Sequence, residues 1–96
     1  MFLKEEEKKI VKDILGRIIP DLKVVAFGSR VSGKNLKPFS DLDLAIIDKQ
    51  PLSLDILSKI KEEFSNSDLP FMVDVIDYNA IDKNFSEAIN KNSQPI

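Results

Sequence analysis

Between Ser40 and Ile47 the chain reads Ser-Asp-Leu-Asp-Leu-Ala-Ile-Ile, an almost unbroken apolar run entered through two carboxylates set one residue apart. In an extended strand, residues two apart share a face and lie about 7 Å apart. Asp41 and Asp43 therefore project to one side, and Leu42, Leu44 and Ile46 to the other. So apolar a run predicts a central strand. Its carboxylate side must still accommodate two like charges, which repel unless a cation lies between them or one is protonated. The chain must fold into a sheet with one face covered by apolar packing and another face open enough for aspartates.

The flanking sequence supplies the cover. Ile10, Val11, Ile14, Leu15, Ile18 and Ile19 recur at helical spacing, so residues 1–19 read as an amphipathic helix ended by Pro20 and Asp21. Lys23 to Phe27 is a short β-branched strand stopping at Gly28, and residues 30–40 read as loop. After Gln50-Pro51, Ser53 caps a second helix with Ile56, Leu57, Ile60 and Phe64 on one face. A third strand runs from Phe71 to Ile76. The last helix begins near Asn84, spaced from Glu87 as in a capping box, with Phe85, Ala88 and Ile89 on its buried side. The tail from Asn92 to Ile96 is expected to fray. The order α-β-β-α-β-α predicts an α+β fold: a small mixed sheet with helices packed on one face, in one domain spanning residues 1–96.

Composition removes most chemistries. Histidine and cysteine are both absent, which excludes disulfides, thiol nucleophiles, histidine relays and the usual zinc sites. A net charge of -2 offers no whole-molecule field for non-specific nucleic-acid binding. No apolar stretch approaches a membrane span and no signal-peptide pattern opens the chain, so a cytoplasmic location is expected. Carboxylates, hydroxyls, lysine, arginine, backbone amides and bound ions remain.

Two further features gather around the Asp41/Asp43 pair. Val73-Asp74-Val75-Ile76 puts a carboxylate in the middle of an apolar strand, where an unpaired charge is costly. If that strand neighbours the second, Asp74 joins Asp41 and Asp43, whereas Asp77, three residues on, faces the other way. Such carboxylates suit Mg²⁺ or Mn²⁺, which take oxygen ligands from one or two carboxylates plus substrate phosphates, and three could serve two metal ions. Gly28 and Ser29 end a strand in a small-residue turn whose amides suit an anion. The turn is neither a Walker loop nor a dinucleotide fingerprint. Arg30, Lys34 and Lys37 are open to either phosphate contact or a purely structural part.

Phe27-Gly28-Ser29-Arg30, then Ser40 to Ile46, then Val73-Asp74-Val75 together resemble the minimal nucleotidyltransferase domains of the DNA polymerase β superfamily. The resemblance spans roughly residues 10–90. It implies that Gly28 and Ser29 hold the nucleotide triphosphate, that Asp41 and Asp43 ligate two metal ions, and that Asp74 completes the cluster and activates an acceptor hydroxyl. The implied reaction transfers a nucleoside monophosphate, most often AMP from ATP, with release of pyrophosphate. Ser32 stands where many relatives have a second arginine, and the loop of residues 30–40 is slightly longer than is common among them. Small members of the superfamily work with a separate helical subunit of the HEPN type, some as toxin–antitoxin pairs. The resemblance therefore implies a hetero-oligomer. The competing expectation is a non-catalytic nucleotide-binding antitoxin that acts by occluding its partner.

Overall fold

The computed structural model covers residues 1–96 and contains a four-stranded mixed sheet. In chain order the elements are α1 (Glu5–Ile18), β1 (Lys23–Phe27), α2 (Ser29–Ser32), β2 (Leu42–Ile47), α3 (Leu54–Ser65), β3 (Val73–Asp77), a 3₁₀ turn (Tyr78–Ala80), α4 (Lys83–Lys91) and β4 (Ser93–Pro95). The sheet order is β3-β2-β1-β4. β1 pairs antiparallel with both β2 and β4, while β2 and β3 are parallel and joined through α3.

Alternation along β2 decides the layering. Leu42, Leu44 and Ile46 are fully buried with Val24, Ala26 and Val75 under α1 and α3, which contribute Val11, Ile14, Leu15, Ile60 and Phe64. Full burial of each valine, leucine, isoleucine or phenylalanine side chain among them contributes roughly 1.5–3 kcal/mol. An Arg17–Glu63 ion pair joins the two helices at the surface. On the opposite face a smaller cluster of Val25, Ala45 and Ile89 covers the Ala45–Ile47 end of β2. The Asp41–Asp43 end of that face carries no such cluster.

Several expectations need correction. Helix α1 starts at Glu5 rather than at the first residue: Lys4 is an extended N-cap, and Phe2 N–H donates to the Arg30 carbonyl at 2.6 Å. One turn of helix, α2, interrupts the expected loop of residues 30–40. The third strand is shifted to Val73–Asp77. Helix α4 is capped by Asp82, whose carboxylate accepts from Phe85 N–H at 2.8 Å, and not by Asn84. Only Ile89 of its expected apolar face is buried; Phe85 and Ala88 are exposed, as is Ile56 on α3. The α1 and α3 helices share one sheet face, but Ile89 places α4 on the other.

The tail does not fray. Ser93 to Pro95 pair with Val25 to Phe27, and Ile96 N–H donates to the Val24 carbonyl at 3.1 Å. The free edge of β1 supplies partners that the tail's polar sequence does not advertise.

Candidate functional site

The register of the parallel pair sets the site. Asp43 lies directly beside Asp74, as Leu44 lies beside Val75. Pleating then puts Asp43 and Asp74 on one face, the open one, and Asp41, one residue ahead of β2, is near enough for its charge to act on Asp43 and lines the same groove as Asp74. Asp77 pairs with Ile46 and faces the core side. It is buried, and its two oxygens accept from Leu52 N–H at 2.8 Å and Asn79 N–H at 2.9 Å. It fixes the exit of β3 and the entry to α3, and has no part in the open cluster.

Asp43 occupies the tightest position. It is half-buried in the middle of the sheet, between Phe27 of β1 and Asp74 of β3. Burial first, then the charges of Asp74 and Asp41, push its pKa from 3.8 up to about 6. Gly28 presses on it from the end of β1: a Cβ there would collide with Oδ2 of Asp43. Gly28 also has φ +78°, which side-chain-bearing residues rarely adopt. Only glycine allows the turn and the carboxylate to approach this closely.

Gly28 is the N-cap of α2 and has no side chain to cap it. The first N–H groups of a helix lack intrahelical acceptors, so Ser29 and its neighbour present free donors just after the glycine that abuts Asp43. The helix closes at Gly33, φ +76°, against which the Phe2 ring packs. Arg30 turns inward and is buried. Lys34 and Lys37 are solvent-exposed.

The three carboxylates are neighbours without converging as a closed metal cage. The donor set, carboxylate oxygens alone, is the one Mg²⁺ or Mn²⁺ selects, and Mg²⁺ is usually held by one or two carboxylates completed by substrate phosphates and water. The residues present fit such an ion.

On the β3 side the cluster opens into a groove of about 780 Å³ whose lining includes Asp41 and Asp74 together with Phe39, Lys61, Phe64 and Met72. Phe39 is 71% and Met72 75% exposed, unusual for apolar side chains of this size. Sequence reasoning overlooked both. Phe39 carried a signal, an aromatic set in a polar loop between Pro38 and Ser40. Met72 sits inside the segment expected to be strand but lies one residue ahead of the observed start of β3, two residues from the exposed Asp74.

A mixed sheet with a glycine turn at one strand end and aspartates on the next two strands is the layout of an enzyme for metal-assisted phosphoryl transfer. Residues 8–96 match the family described as Polymerase beta, Nucleotidyltransferase, and the chain belongs to it. A probable protein adenylyltransferase MntA from Haemophilus influenzae (strain ATCC 51907 / DSM 11121 / KW20 / Rd) is 51% identical over 89 residues, covering 93% of this chain and 77% of the relative. Two solved structures share the fold. One, a toxin–antitoxin crystallised with AMP-PNP, has a TM-score of 0.74 at 20% identity, covering 92% of this chain and 70% of its own. The other, a tyrosine-to-alanine mutant of the toxin–antitoxin MntA-HpeT, has a TM-score of 0.73 at 22% identity, covering 98% and 72%.

Proposed function

We propose that this chain transfers AMP from ATP to a hydroxyl group on a helical, HEPN-type partner protein, as the antitoxin of a toxin–antitoxin pair. The observation that carries the proposal is Asp43. A half-buried carboxylate beside two others opposes folding unless a cation is meant to join it, and here it abuts the glycine turn suited to a phosphate. The 51% identity to a probable protein adenylyltransferase supports the AMP donor and the protein acceptor.

In this reading Gly28 and Ser29 would receive the triphosphate, and Asp41 and Asp43, with Asp74 completing the set, would hold Mg²⁺ or Mn²⁺. The ions would supply charge neutralisation on the triphosphate and lower the pKa of the acceptor hydroxyl. The acceptor comes in over the groove on the β3 side, opposite the glycine turn, as in-line displacement requires. Asp74 takes the hydroxyl proton as the acceptor oxygen bonds to the α-phosphorus. The bond from that phosphorus to the bridging oxygen breaks, and pyrophosphate leaves with the electron pair.

The test is intact-mass analysis of the helical partner after incubation with this chain, ATP and Mg²⁺. Addition of AMP by the wild type and none by Asp43→Asn is the expected result. An unmodified partner that both proteins neutralise equally would replace transfer with occlusion.

A further inference from the structure

The phosphate turn, Asp41 and Asp74 sit on three different segments, and one side chain of the first reaches the segments that carry the other two. Arg30 follows Ser29 in α2 and is only 6% exposed. Its Nε donates to the Ser40 carbonyl at 2.8 Å, the residue just before Asp41. Nη2 donates to the Pro38 carbonyl at 3.2 Å, and Nη1 to the Phe2 carbonyl at 2.8 Å. The guanidinium carbon lies 4.0 Å over the centre of the Phe71 ring, three residues ahead of Asp74. Leu42 N–H then bonds the Met72 carbonyl at 2.9 Å, zipping the Asp41 segment to the entry of β3.

We infer that Arg30 is a positioning residue for the transfer reaction: its buried guanidinium sets the spacing between the phosphate turn, Asp41 and Asp74. The inference rests on the reading of the site given above. The chemistry requires an arginine. In-plane donors reach carbonyls in three directions while the flat face remains free to lie on Phe71; a lysine ammonium is a point charge on a flexible stem and cannot do both. No carboxylate pairs with Arg30; main-chain carbonyls and an aromatic face surround it instead. The group therefore adds no further negative charge behind an already acidic site. It is also turned away from solvent, which removes it as a direct phosphate ligand.

Reacting groups displaced by about 1 Å can lose about 100-fold in rate. The test compares wild type, Arg30→Lys and Phe71→Leu at a temperature where each is folded, using AMP transfer and, separately, Mn²⁺ affinity by electron paramagnetic resonance with a non-hydrolysable ATP analogue. Arg30→Lys should lower kcat per folded molecule by about tenfold or more. Its KM for ATP should change less than about threefold, because the turn itself is intact. Mn²⁺ affinity should fall in the same variant. Phe71→Leu, which keeps the three carbonyl bonds, should weaken Mn²⁺ in the same direction by a smaller factor.

A folded Arg30→Lys that melts earlier yet keeps wild-type kcat and Mn²⁺ affinity would overturn the inference and leave Arg30 a folding brace. Should Arg30→Lys not fold, wild-type Mn²⁺ affinity in folded Phe71→Leu overturns it equally. A wild type that binds Mn²⁺ but transfers nothing defeats the proposed function alone, and the Mn²⁺ comparison still decides the inference.

Discussion

Replacing Asp43 by asparagine should stabilise the protein while abolishing its proposed activity, and the sign follows from the site. A carboxyl whose native pKa exceeds its unfolded value binds protons more tightly when folded. Stability from this group is therefore full below pH 4 and is lost as pH rises through the native pKa. The displacement of Asp43 from 3.8 to about 6 corresponds to about 3 kcal/mol at roughly 1.4 kcal/mol per unit. Because Asp43 is only half-buried, solvent screens part of this, and about 1–2 kcal/mol is the expected effect at pH 8. Asparagine keeps the shape and removes the charge. For a domain of this size, that gain should raise the melting temperature by about 5–10 °C in metal-free buffer at pH 8. At pH 4, where wild-type Asp43 is largely protonated, the two proteins should melt within a few degrees of each other. Adding Mg²⁺ and ATP should then stabilise the wild type by mass action and leave the variant nearly unmoved. The assay is thermal denaturation at both pH values with and without ligand. A variant no more stable than wild type at pH 8, or an advantage of equal size at pH 4, would refute the electrostatic reasoning.

Gly28→Ala should cost about 1–3 kcal/mol, since it combines a positive φ with a collision against Asp43; urea denaturation measures the loss, and the ATP-dependent thermal shift should disappear with it. Asp74→Asn and Asp77→Asn separate function from structure. Asp74 is exposed, so its replacement should change stability by no more than about 0.5 kcal/mol while eliminating AMP transfer. Asp77 satisfies two buried-side amides, so its replacement should cost about 1–3 kcal/mol and spare kcat per folded molecule. Removing residues 93–96 should expose the edge of β1 and speed hydrogen exchange there, lowering stability by about 1–2 kcal/mol.

Alternation and punctuation along the chain account for the local part of this layout. The period of two along β2 separated Leu42, Leu44 and Ile46 from Asp41 and Asp43, and the same period placed Asp74 and Asp77 on opposite faces. Ser53 was readable as a cap because its hydroxyl accepts from the amide three residues on, a wholly local bond. The candidate site's three carboxylates and its glycine turn could be picked out for the same reason: each announces itself within a few residues. Whatever depends on a partner distant in the chain had to wait for folding. Ser93 to Pro95 became a strand because β1 had an unpaired edge, and α4 crossed to the second face because Val25 and Ala45 left an apolar surface there for Ile89. Arg30 stood open to two readings as a sequence position. The carbonyls of Phe2, Pro38 and Ser40 and the ring of Phe71 resolved it, and only folding brings those four together, since a guanidinium takes whichever acceptors surround it.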